Sequence, residues 1–100
     1  MTYGFAMDVA APIEFYDALH AEIGRRSGGA AEGMLLHVGR ATPSGFQVTE
    51  VWESKEQWDR FATEVVGPAL AELTGGQVRE PEVEGFEPRG LIVPAARVLV

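Results

Sequence analysis

Apolar and small or polar residues alternate over positions 2–9, with Tyr3, Phe5, Met7 and Val9 on one side and Gly4, Ala6 and Asp8 on the other. A two-residue period predicts a strand. The period then lengthens: Ile13, Tyr16, His20 and Ile23 recur at helical spacing, with Leu19 beside them. Pro12 suits a first helical position, and Glu14 complements the positive end of the helix dipole. Arg25 and Arg26 fit the last turn, and Ser27-Gly28-Gly29 ends the helix. On this stripe His20 reads as a satisfied core histidine rather than a ligand.

A second strand is predicted over 33–41. Its centre, Met34-Leu35-Leu36-His37-Val38, is apolar on both faces, so both faces need cover. Thr42-Pro43-Ser44-Gly45 has turn chemistry, and the third strand, 46–53, is rich in aromatic and β-branched residues. Ser54 followed by Gln57 is a capping box. The helix it opens carries Trp58, Phe61, Ala62, Val65, Ala69 and Leu73 on one stripe. Gly67-Pro68 should kink or briefly break it, because proline removes a donor and clashes with the preceding turn. Gly75-Gly76 stops it. Val83–Phe86, inside the acidic run 80–87, is a weaker candidate for a fourth strand at a solvated edge.

The order βαββαβ predicts an α+β, ferredoxin-like antiparallel sheet, with right-handed crossovers placing both helices on one face. The other face has no cover within the chain. Met34, Leu36, Val38 and Val51 are expected there, an apolar patch that soluble monomers rarely leave open. Packing of two sheets about a two-fold axis is the simplest remedy, so the expected partner is a second copy of the chain.

Size and charge narrow the function classes. The 100 residues make a single domain over 1–100, with 88–100 expected as a C-terminal strand or arm. With a formal net charge of −7 and only eight scattered basic residues, the surface does not suit a nucleic-acid backbone. Cysteine is absent, which excludes disulfides and thiolate chemistry. The first residues lack the pattern of a signal peptide, and no apolar run approaches the roughly 18 residues of a membrane span. A cytoplasmic location and no membrane partner are therefore expected. Neither a phosphate-binding GxGxxG or P-loop nor a nucleophile elbow occurs.

The run Glu50-Val51-Trp52-Glu53-Ser54-Lys55-Glu56-Gln57-Trp58, with two helices on one face and a bare apolar sheet face, resembles the dimeric α/β-barrel superfamily. Its closest branch is the antibiotic-biosynthesis-monooxygenase-like group, where E-x-W-x-S-x-E-x-aromatic spans the end of the third strand and the start of the second helix. The resemblance implies a ligand held between sheet and helices of each subunit. It also implies a range of activities, from cofactor-free oxygenation of polyphenols and haem degradation to isomerisation and polyketide cyclisation, with many members of no known activity. This chain departs from the pattern where it matters for chemistry. Val48 stands where quinone-forming oxygenases commonly have an asparagine, and Phe61 where many relatives carry a histidine.

Pairing Ala41 with Phe46 across the turn sets His37 opposite Glu50, Leu35 opposite Trp52 and Gly39 opposite Val48, with opposed Cβ atoms about 5 Å apart. A one-residue slip would divide His37 and Glu50 between the two faces. In this register His37, Glu50 and Trp52 share the helix-facing side with Phe46 and Val48. Tyr16, His20, Trp58, Phe61 and Val65 are placed to close a pocket from the helices. A glutamate holding one imidazole nitrogen orients the ring and leaves the other as base or acid. Trp52 would then be an apolar wall for an aromatic molecule. The expected function is binding of, and chemistry on, a small apolar aromatic or polyketide-like molecule, of the cofactor-independent monooxygenase or cyclase kind, with His37 as acid–base. No cofactor and no metal are expected. The alternative is a non-catalytic ligand-binding, accessory or structural dimer in which His37 and Glu50 simply fix the hairpin.

Overall fold

In a computed structural model that describes residues 2–76 and 82–92, the chain runs β1 (Tyr3–Val9), α1 (Ile13–Ser27), β2 (Met34–Thr42), β3 (Gly45–Trp52), α2 (Lys55–Phe61), a π-helical turn (Ala62–Val66), α3 (Gly67–Thr74) and β4 (Glu82–Phe86). The strands form one open antiparallel sheet in the order β2-β3-β1-β4, the ferredoxin-like arrangement. The helices cover one face: Phe15 and Tyr16 of α1 meet Phe46, while Trp58 and Phe61 meet Phe5 and Trp52. Phe5, Phe46 and Trp52 are the largest fully buried side chains and form the centre of the core.

Local chemistry sets the element ends. Pro12 is the N-cap of α1 rather than its first helical residue, with extended backbone at φ −62° and ψ 153°. Gly28 and Gly75 close their helices in the left-handed conformation, at φ 67° and 65°, where a side chain would be strained. Ser54 Oγ accepts the Gln57 N–H at 3.2 Å and donates to Gln57 Oε1 at 3.0 Å, which fixes the start of α2.

Proline at 68 does not break the second helix. Helical backbone continues through Phe61, Ala62, Val66 and Gly67. The missing donor is accommodated by the π turn, in which the Gly67 N–H reaches back to the Ala62 carbonyl. A Cβ at Gly67 would stand 3.3 Å from that carbonyl, so the position is tight for anything larger.

The hairpin register places His37 opposite Glu50, Gly39 opposite Val48 and Ala41 opposite Phe46. At the far end it departs from the simple alternation. A β-bulge between Met34 and Leu36 leaves Leu35 as the extra residue, so Met34, not Leu35, pairs with Trp52. Met34 thus leaves the open face on which alternation had put it.

On that open face the strands lay out three rows. Leu36, Val51, Gly4 and Phe86 form the first, Val38, Thr49, Ala6 and Glu84 the second, and Arg40, Gln47 and Asp8 run through the third. The Phe86 ring lies directly over Gly4, where any Cβ would collide with it. Val51 is buried, whereas Leu36, Val38 and Phe86 remain 38%, 46% and 41% exposed. The third row is bonded across, Arg40 Nε to Gln47 Oε1 and Gln47 Nε2 to Asp8 Oδ1, each at 3.2 Å.

Among the described residues no helix is long and apolar enough to cross a membrane. Residues 87–92 have no regular structure. The rest of the expected strand or arm over 88–100 lies outside the described residues.

Candidate functional site

His37 sits on β2, an edge strand, and Glu50 lies opposite it on β3. His37 Nδ1 is 2.6 Å from Glu50 Oε2, and the other carboxylate oxygen accepts the Trp52 indole N–H at 2.8 Å. On its outer side, His37 Nε2 is 2.7 Å from the Tyr16 hydroxyl. A line of hydrogen bonds therefore runs from α1 through the sheet: Tyr16, His37, Glu50, Trp52. Its inner end at Glu50 and Trp52 is buried, and the His37 side chain is 25% exposed.

The donors and acceptors along this line fix one another. A Glu50 carboxylate only accepts, so it takes the indole N–H and the imidazole Nδ1–H. A neutral His37 with its proton on Nδ1 must accept at Nε2, which makes Tyr16 the donor there. Burial first, and then the negative charges of Glu50 and Asp17, push the Tyr16 phenol above its ordinary pKa and keep it protonated. Among the described residues, no buried side-chain nitrogen or oxygen lacks a partner.

Tyr16 reaches His37 only because residue 39 is glycine. Gly39 lies two positions along β2 on the same face, and a Cβ there would fall inside the Tyr16 ring. The sequence pattern pairs Gly39 with Val48, as observed, but gives no sign of its contact with Tyr16. It also put His20 in the core, whereas His20 is exposed. Its ring stacks on Tyr16 with centroids 5.5 Å apart, and its Nδ1 is 3.4 Å from the phenol oxygen. The helical period was right, but α1 buries none of its residues fully, and His20 is exposed while Leu19 and Ile23 beside it are half-buried.

The remaining site residues fall into a second, adjoining cluster. Trp52 has no exposed surface and is enclosed by Trp58 and Phe61, with ring centroids 5.7 and 5.3 Å away. Trp58 also packs on Phe5 at 4.5 Å. Phe46 is buried beneath Tyr16 in an edge-on contact, and buried Val48 stands opposite Gly39. Val65 and Phe61 line a depression of about 160 Å³ with Glu32, Gln57, Arg60 and Glu64. A wider one, about 460 Å³, opens between the start of α1 and the β2–β3 turn. Neither is lined by His37 or Glu50. Among the described residues, no three His, Asp or Glu side chains converge so as to hold a metal ion.

No protein-family model and no curated protein matches the sequence. Solved structures do match the fold. A Chloroflexus aurantiacus protein named after the antibiotic biosynthesis monooxygenases is 25% identical, with a TM-score of 0.66 over 93% of this chain and 98% of that one. A conserved protein from Methanosarcina mazei is 10% identical, with a TM-score of 0.68 over 89% and 94%. SnoaB from Streptomyces nogalater, a cofactor-independent oxygenase solved as a mutant, is 14% identical, with a TM-score of 0.60 over 91% and 94%. The chain therefore has the ferredoxin-like fold seen in the antibiotic-biosynthesis-monooxygenase-like proteins.

Proposed function

We propose that the protein binds a small, apolar aromatic or polyketide-like molecule between sheet and helices and moves a proton on it, in the manner of a cofactor-independent monooxygenase or cyclase. The observation that carries this reading is the unbroken line Tyr16–His37–Glu50–Trp52. It couples a partly exposed imidazole to a buried carboxylate, with aromatic rings on both sides. A carboxylate at Nδ1 holds the ring in one orientation and faces the imidazolium that forms when a proton arrives. That suits removal of a proton from a phenol or an acidic carbon, the first step of cyclisation, isomerisation or direct reaction with oxygen. SnoaB, a structural neighbour, is a cofactor-independent oxygenase, which makes this chemistry a reasonable one for the fold.

A second reading has its own support. Trp52, Phe46 and Phe5 are completely buried, as in a filled core, and this favours a non-catalytic binding or accessory dimer. In both readings the unit is a homodimer joined through the open sheet face, where Leu36, Val38 and Phe86 lie exposed.

Native mass spectrometry of the freshly purified protein separates these readings. A dimer carrying one aromatic molecule per subunit, lost in His37→Ala while the dimer persists, is the expected result. A dimer that stays empty, and whose melting temperature no aromatic compound raises, would leave the accessory reading standing and remove the first. A monomer would remove the sheet-face dimer from both.

A further inference from the structure

We infer that the hydroxyl of Tyr16, rather than a nitrogen of His37, is the atom that meets a bound molecule, and that His37 and Glu50 act through it as positioning residues. This rests on the proton-transfer reading above and changes which group does the contacting. Both nitrogens of His37 are already occupied, Nδ1 by Glu50 at 2.6 Å and Nε2 by Tyr16 at 2.7 Å. No ring nitrogen is left for a substrate unless Tyr16 is displaced. The Tyr16 oxygen, in contrast, donates once and keeps acceptor capacity to spare. The neighbour facing that capacity is His20 Nδ1 at 3.4 Å, on an exposed ring held by stacking. Turning His20 aside opens a place at the phenol oxygen without disturbing the buried partners.

The step balances without any redox partner. A hydroxyl of the bound molecule gives its proton to the Tyr16 oxygen while the Tyr16 O–H proton passes to His37 Nε2. One O–H bond of the molecule breaks and one N–H bond forms on the imidazole. Tyr16 ends neutral, the molecule is left as an anion, and the imidazolium rests against the Glu50 carboxylate. Passing the proton on, rather than standing as a phenolate, is what this site requires. Burial and the charges of Glu50 and Asp17 both disfavour the phenolate.

The test uses the full chain with 2-naphthol and 2-methoxynaphthalene, two similar ring systems of which only the first has an ionisable hydroxyl. The wild type is expected to bind 2-naphthol at least tenfold more tightly, and Tyr16→Phe to bring the two within twofold. Absorbance gives the second readout. Bound 2-naphthol should show its anion band below the pH at which free 2-naphthol ionises, and both Tyr16→Phe and His37→Gln should lose that band. A preference that survives Tyr16→Phe, or a wild type without preference, overturns the role given to Tyr16 while aromatic binding stands. A band that survives His37→Gln overturns the role of His37 behind it. If neither compound binds the wild type, the aromatic-binding reading itself fails, and this inference with it.

Discussion

Tyr16 and Gly39 are matched to each other: the phenol ring occupies the space that any side chain at position 39 would fill. The match sets the distance from Tyr16 to His37, and so the continuity of the hydrogen-bonded line. Gly39→Ala should push the ring outward and lengthen or break that contact. Overpacking of this kind typically costs about 1–3 kcal/mol. Denaturant unfolding measures the loss, and the histidine ring signals in NMR should shift with it. An alanine variant with unchanged stability and unchanged His37 signals would mean that Tyr16 has room to spare.

Glu50 depends on two donors, His37 and Trp52. His37→Ala removes one and leaves a buried carboxylate oxygen unpaired, at a cost of about 1–3 kcal/mol. His37→Gln, which can still donate, should recover part of that loss. Trp52→Phe removes the other donor and part of a fully buried ring, so it should cost at least as much as His37→Ala. Equal stabilities for the alanine and glutamine variants would show that the His37–Glu50 bond does nothing for the fold.

The raised pKa of Tyr16 has a consequence for alkaline stability. Its folded-state pKa lies above the unfolded value, the causes being burial and then Glu50 and Asp17. His20 and His37 are the other titratable groups in contact with its hydroxyl. Between the two pKa values the folded chain holds a proton that the unfolded chain has lost. The contribution is therefore fully present below the ordinary phenol range and is lost as pH rises through the folded-state pKa. Urea unfolding at a series of alkaline pH values should show stability falling, with a shallower fall in Tyr16→Phe. Parallel curves for the two proteins would refute the assignment.

Val38 lies half-exposed on the open face, opposite Thr49. In the homodimer proposed through this face each substitution would occur twice, so Val38→Glu would place two carboxylates in the interface. Dissociation should rise at least tenfold in analytical ultracentrifugation, with the subunit fold unchanged by circular dichroism. If Val38→Glu sediments as the wild type does, the subunits meet elsewhere or not at all.

Much of this was readable in the sequence because strand alternation and turn chemistry constrain each other. The Thr42–Gly45 turn, with an apolar run on each side, was enough to set His37 opposite Glu50. What the pattern did not carry was irregularity. The bulge at Leu35 leaves no mark in a run that is apolar on both faces, so Trp52 was paired one residue out. The helical period put Tyr16 on the stripe that faces the sheet, but it does not encode the close approach that Gly39 permits. The exposure of His20 was hidden for a different reason: helical spacing fixes a face, while how far that face is covered depends on how α1 sits against its neighbours.

The π turn at Ala62–Val66 also bears on how this chain tolerates changes in length. Such a turn holds one residue more than a regular helix needs to cover the same rotation. Deleting a single residue there would restore ordinary winding and keep α2 and α3 in phase, with Phe61 still against Trp52 and Ala69 still buried. The same deletion in the middle of α1 would rotate everything beyond it by about 100°, with no extra residue there to absorb the change. A one-residue deletion is thus more readily absorbed by the second helical segment than by the first.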